Sequence, residues 1–202
     1  MVGDHYDLFL DRLIEATASL RMGLPEEPAT MIGPVISQSA KERIQQAIDA
    51  GRKTADLVLE MNNNIKGDGY FIGPAILSHV PPESLLAQEE IFGPVLSVMQ
   101  AESLDDAIGI ANNNDYALTG GIYSRSPANI QKLVRQLQAG NIYINRKITG
   151  ALVERQPFGG FKLSGTGSKA GGEDYLKHFL TPVTVTENTL RRGFAPTQTT
   201  SK

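Results

Sequence analysis

Two adjacent carboxylates, Glu89 and Glu90, stand at the entry to an apolar run, QEEIFGPVLSV, that is broken by Gly93-Pro94. Charge at the lip of a strand bound for the interior costs free energy unless backbone donors, a cation or ligand hydroxyls pair with it. A second candidate is the glycine-rich stretch FGGFKLSGTGSKAGG. Gly165, Gly167 and Ala170 satisfy G-x-G-x-x-[GA], and Glu187 follows about twenty residues on, where a ribose-binding acid would stand. The context fails, because that fingerprint follows a Val/Ile-rich strand, PFGGFKL is interrupted by glycine, and no second βαβ half remains after it. The Walker pattern fails too, since Gly165-Thr166 occupies the place of Gly-Lys. The stretch reads instead as a backbone turn that needs positive φ or close packing.

Other chemistry-bearing residues are scattered. His5, His79 and His178 have no second ligand at helical spacing and read as surface or packing residues. Asp105 and Asp106 suit the electrostatics of a helix N-terminus. Arg146, Lys147, Arg155, Lys162 and Lys169 make one region locally basic, either as a solvated face or as a site for an anionic substrate. There is no cysteine, which excludes disulfides and Cys-based zinc sites and fits a reducing cytoplasm. It also removes the thiol nucleophile from any reaction the chain could run alone.

The elements that must position these residues belong to a chain of 202 residues, 41% hydrophobic, enough for one core or one core plus an appendage. A net charge of −3 has the wrong sign for a nucleic-acid binder. No apolar run approaches the roughly 20 residues of a membrane span, and MVGDHYDLFL lacks the pattern of a secretory signal.

Apolar residues from Tyr6 to Leu20 recur at helical spacing. Ser39 with Glu42 reads as a capping box for a second helix ending near Gly51, and Ser103 with Asp106 as an acidic variant for a third. Asp56 to Met61 is a strand candidate, NNNIKGDG a turn, and YFIGPAILSHV a further extended segment. Leu118 to Ser124 and Asn141 to Arg146 are strand-like. Ser126-Pro127 opens, and Gly140 closes, the helix between them. This alternation predicts βαβ units and a largely parallel sheet with flanking helices. EDYLKHFL adds a short helix. TPVTVTENTL follows as a Thr/Val-rich strand, either an arm (Thr181 to Asn188) that joins another chain's sheet or an ordinary edge strand of the same sheet. The polar end PTQTTSK is expected to be disordered.

QEEIFGPV, GNIYIN and PFGGFKLSGTG occur in that order and resemble the C-terminal signature blocks of the NAD(P)-dependent aldehyde dehydrogenase superfamily. FIGPAILSHVPPESLLAQEEIFGPV and ANNNDYALTGGIYS extend the resemblance over nearly the whole chain. NRKITGALVERQPFGGFKLSGTGSKAGG, followed by TVTENTLRRGFAP, is similar to the 1-pyrroline-5-carboxylate dehydrogenases within it. Those enzymes oxidise L-glutamate γ-semialdehyde to glutamate with NAD.

The resemblance implies an aldehyde dehydrogenase α/β fold and roles for named residues. Glu90 would hold the nicotinamide ribose hydroxyls, with Phe92 beside the nicotinamide. The alternative for Glu90 is an ion pair with a nearby Lys or Arg. Backbone amides of Gly150 and Ala151 would anchor the substrate α-carboxylate, and Phe158 would lie against its aliphatic part, or pack in the core. The family's nucleophilic cysteine, general-base glutamate and Rossmann domain fall upstream of residues resembling this chain. The expectation is therefore a C-terminal fragment, inactive alone and not binding NAD tightly: 1–180 part of the catalytic domain, 181–190 an oligomerisation strand, 191–202 a tail. Expected partners are a small aldehyde bearing an α-amino carboxylate and further copies of the chain, without nucleic acid or membrane, in the cytoplasm. A non-catalytic module pairing with full-length subunits, or a related dehydrogenase of different substrate, is the alternative.

Overall fold

The computed structural model describes residues 1–61, 65, 69–148, 151–152 and 154–189. Helix α1 (Tyr6–Ala18) covers the first periodic segment, and α2 (Gln38–Gly51) the second. The N-cap of α2 is Ser37 rather than Ser39. Ser37 takes an extended backbone and its Oγ accepts from Ala40 N–H at 3.1 Å, while Glu42 accepts instead from Gln38 Nε2 at 2.7 Å. The capping geometry requires an extended residue, and Ser39 already lies within the helix.

Strand β1 (Asp56–Glu60) pairs antiparallel with β2 (Ala75–Ser78), and β2 pairs parallel with β3 (Val95–Ser97). Every residue of β2 is buried, because the strand has a helix on each face. Ala75 and Leu77 join Ile44 and Ile48 of α2, with Ile72, Val80 and Leu86, in one cluster. Ile76 joins Tyr6 and Leu10 of α1 and Val98 in the other. The period-2 alternation of a strand thus divides one segment between two helices. The four-residue helix α3 (Leu85–Gln88), absent from the sequence reading, connects β2 to the loop before β3.

Helix α4 (Leu104–Asn112) starts as expected: Ser103 Oγ accepts from Asp106 N–H at 3.1 Å, and Asp106 Oδ2 accepts from Glu102 N–H at 2.9 Å. Strands β4 (Tyr116–Ala117) and β5 (Thr119–Ile122) follow. Helix α5 (Pro127–Gln136) has Ser126 as N-cap and ends at Leu137, whose backbone is already extended, so Gly140 does not close it. Strand β6 (Asn141–Ile144) lies parallel to β5, completing a βαβ unit with α5 between. Asp105 of α4 pairs with Lys132 of α5 at 2.5 Å.

Within the glycine-rich stretch, β7 (Phe161–Lys162) pairs antiparallel with β4. The single, largely parallel sheet expected from the alternation is, among the described residues, three pieces: β1-β2-β3, β4-β7 and β5-β6. Two of the four pairings are parallel and two antiparallel. The short helix expected at EDYLKHFL is a 3₁₀ turn, Tyr175–Phe179. Residues 181–188 form no strand with the other described residues, and Val183 and Val185 are exposed. The expected turn at NNNIKGDG and the tail 191–202 lie wholly or mostly outside the described residues.

Candidate functional site

The Glu89–Pro94 loop is pinned on both sides. Gln88 Nε2 donates to Pro82 O at 2.6 Å and to Asn113 O at 2.7 Å, and Asn114 Nδ2 donates to Ala87 O at 2.9 Å. On the far side, Arg43 of α2 donates to the Ile91 carbonyl. Ile91 itself packs on the α2 cluster. At Gly93 a Cβ would stand 2.5 Å from Ile44 Cδ1, so only glycine lets the loop lie this close to α2.

Anchoring Ile91 inward turns its neighbours outward. Glu90 and Phe92 are both exposed, Phe92 to 76%. Phe92 has φ +53°, a left-handed conformation that bulky residues rarely hold without a structure that enforces it. Glu90 makes no ion pair among the described residues, so the local Lys or Arg of the alternative reading is not seen there. The strand that follows is less buried than the sequence suggested, with Leu96 45% exposed. A carboxylate with its acceptor positions open, one residue from an exposed ring, is a donor set suited to hydroxyls beside a flat aromatic group.

The contacts of Arg43, and of Gln88 at the head of the run, were not legible in the sequence. Their partners are backbone carbonyls, 48 and 25 residues distant for Ile91 and Asn113. No residue-type pattern marks such contacts.

The remaining expected site residues are dispersed. Phe158 is half-buried and fixed by a two-bond bridge: its N–H donates to Ala170 O at 3.0 Å, and Ala170 N–H donates back at 2.8 Å. Ala151 is exposed. Gly150 lies outside the described residues. Glu90 lines a cavity of about 780 Å³ that Phe92, Ala151 and Phe158 do not line. A second cavity of about 890 Å³, between Glu154, Pro157, Lys169 and Tyr175, touches none of them.

The glycine-rich stretch is a backbone stack. A Cβ on Gly159 would lie 2.3 Å from Ser168 O, and one on Gly160 would lie 2.7 Å from Ala117 O. Gly165 and Gly167 have φ of +150° and +90°. Two of the basic residues donate to backbone carbonyls, the part-buried Lys169 within this stack and the exposed Lys162 outside it. Lys162 Nζ donates to Asn112 O at 3.0 Å and Asn114 O at 2.7 Å, and Lys169 Nζ donates to the carbonyls of Gly140 and Gly159. Arg146 lies over the Tyr143 ring, 5.3 Å from its centroid. Among the described residues no three His, Asp or Glu side chains are grouped to hold a metal. His79 Nδ1 instead pairs with Asp56 Oδ2 at 3.0 Å. No helix among the described residues is long and apolar enough to cross a membrane.

The sequence profile of the aldehyde dehydrogenase family matches residues 2–185. A 1-pyrroline-5-carboxylate dehydrogenase of Geobacillus sp. (strain WCH70) is 44% identical over 93% of this chain, which spans 36% of that relative's length. The crystal structure of proline utilization A from Bdellovibrio bacteriovorus superposes with a TM-score of 0.88 at 50% identity, covering 96% of this chain and 20% of that one. A Thermus 1-pyrroline-5-carboxylate dehydrogenase with bound NAD superposes with a TM-score of 0.83 at 45% identity, covering 88% of this chain and 34% of that one. The chain thus spans about a third of the length of the curated relatives it matches, and it belongs to the aldehyde dehydrogenase family.

Proposed function

We propose that this chain forms the C-terminal part of the catalytic domain of an NAD-dependent, cytoplasmic dehydrogenase that oxidises L-glutamate γ-semialdehyde to L-glutamate. The observation that carries this reading is the pinned loop, which presents an open carboxylate at Glu90 and an enforced, exposed ring at Phe92. The NAD-bound Thermus relative, 45% identical, supports NAD as the cofactor.

In this reading Glu90 accepts hydrogen bonds from the nicotinamide ribose hydroxyls, and Phe92 lies beside the nicotinamide. NAD supplies the hydride acceptor. A charge-assisted hydrogen bond of this kind contributes about 1.5–3 kcal/mol, enough to orient the ring. The amides of Gly150 and Ala151 bind the substrate α-carboxylate, since short residues let backbone donors approach an anion closely. Phe158 packs on the aliphatic part of the substrate. The nucleophile must come from outside this sequence, which contains no cysteine, so the chain alone is inert. The segment 181–188, with Val183 and Val185 exposed, joins the sheet of another copy.

The test is a chimera in which this chain replaces the corresponding third of the Geobacillus relative. The chimera is expected to oxidise glutamate semialdehyde with NAD, and the chain alone to show no turnover above a no-protein control. Glu90→Gln in the chimera should weaken NAD binding by calorimetry and slow hydride transfer, roughly tenfold or more for the lost bond. Unchanged binding and rate would remove Glu90 from the cofactor site.

A further inference from the structure

Helix α3 is a single turn, so its own hydrogen bonds cannot hold the Glu89–Pro94 loop that follows it. A helix leaves its last carbonyls without partners inside itself. Here side chains take two of them from two directions. Ser97 Oγ of β3 donates to Leu86 O at 3.0 Å, and Asn114 Nδ2 donates to Ala87 O at 2.9 Å, both in part-buried surroundings. The Ser97 bond stays within the β1-β2-β3 sheet. The Asn114 bond comes from outside it.

Asn114 lies between α4 and β4, and both ends of its carboxamide are in use. While Nδ2 serves Ala87, Oδ1 accepts from Tyr116 N–H at 2.7 Å, an Asx turn that opens β4. The next residues join the glycine-rich stretch. β4 pairs with β7, Leu163 N–H donates to Asp115 O at 2.9 Å, and Ala117 N–H donates to Ser164 Oγ at 3.0 Å. Among the described residues no strand pairing joins the β1-β2-β3 sheet to β4-β7. The Asn114 amide therefore bridges the segment that leads into Glu90 and Phe92 and the one that carries Phe158. From the loop side Gln88 reinforces the bridge by donating to Asn113 O at 2.7 Å.

With Glu90 and Phe92 taken as the cofactor contacts proposed above, we infer that Asn114 is a positioning residue for the cofactor, acting through Ala87 to fix where the loop presents them. A carboxamide is suited to this because it carries a donor and an acceptor on one planar group. A carboxylate of the same shape has acceptors only. Asn114→Asp thus keeps the bond to Tyr116 N–H and turns the bond to Ala87 O into a repulsion.

The test places Asn114→Asp in this chain and in the chimera with the Geobacillus relative. In the chain, NMR should show the amides of Gln88 and Glu89, which donate to Ser84 O and Leu85 O, exchanging about three- to tenfold faster, the worth of one hydrogen bond. The Tyr116 amide should keep its protection. Lys169→Met, whose lost bonds to Gly140 O and Gly159 O lie away from Asn114, should leave Gln88 and Glu89 as they were. In the chimera, KM for NAD should rise about three- to tenfold while KM for the semialdehyde stays within about twofold. Unchanged exchange at Gln88 and Glu89 would overturn the assignment whatever Glu90 binds. Faster exchange with an unchanged KM for NAD would reduce Asn114 to a structural bond, and a parallel rise in both KM values would mean general loosening; either overturns the positioning role. If Glu90→Gln leaves NAD binding untouched, the cofactor contact itself fails, and the exchange data still show whether Asn114 holds the loop. Asn114→Ser, which keeps a hydroxyl acceptor for Tyr116 N–H and is too short for Ala87 O, supplies the same comparison should the aspartate variant not fold.

Discussion

The half of the molecule around β2 and the glycine-rich region from 156 onward are held together by different physics. Around β2, Ile44, Ile48, Ile72 and Leu77 are at most 1% exposed, and two helices close on the two faces of one strand. In the glycine-rich region Leu163, Phe179 and Val185 are at least 71% exposed, and the backbone is held by close glycine contacts and by donations from Lys162 and Lys169. The first region is closed by its own apolar burial. The second holds its backbone by polar and glycine contacts while leaving apolar side chains outward.

Removing bulk should damage the first region most. Ile44→Ala creates a cavity beneath Gly93 and costs about 2–5 kcal/mol, read as a fall in the urea midpoint. The same substitution frees the loop that holds Glu90 and Phe92, so exchange of the Ile91 and Phe92 amides should rise with it. A loss below about 1 kcal/mol would mean that the core is less tightly closed than the burial implies.

In the second region a single cation should matter more than any apolar side chain. Lys169→Met keeps the length of the stem and removes the donor to Gly140 O and Gly159 O, a loss of about 1.5–3 kcal/mol. Exchange should accelerate around residues 140 and 159–169 with the β2 core unchanged. Leu163→Ala, by contrast, should stay within about 0.5 kcal/mol. Equal effects of the two would erase the distinction between the regions.

Ser37→Ala is a smaller break of the first region. It removes the acceptor for Ala40 N–H and should cost about 1 kcal/mol, whereas Ser39→Ala should cost little. The reverse order would restore Ser39 as the cap.

The smallest effect is a pH slope at Met1. Burial holds its amino group below the ordinary 8.0, so the unfolded chain binds more protons in the window beneath that value. Stability should therefore rise as pH climbs toward 8.0 and level off above it. Acetylation keeps the N–H donor to Met99 O and removes the charge, so the difference between the two forms isolates this slope from every other titrating group. Parallel stability curves would mean that the group is solvated.

Where local geometry was legible, its signals span only a few residues. Glu90 beside Ile91, Phe92 and Gly93 is a contiguous pattern, and Gly165 and Gly167 announce positive φ by residue type alone. Ser103 and Ser126 mark their helices because an N-cap bond spans three residues. Ser39 misled because Ser37 offers the same chemistry two positions earlier, and only backbone conformation chooses between them.

The sequence by itself therefore determined the four longer helices, most of the strand segments, the charge at the lip of the apolar run, and the family blocks, all of which rest on neighbours within a few residues. Tertiary structure alone decided that the sheet is divided into three pieces, that Arg43 reaches Ile91 across 48 residues, and that Lys169 holds Gly140 and Gly159 rather than an anion. Backbone carbonyls and strand edges are identical at every residue, so no side-chain pattern can say which of them a distant donor will find.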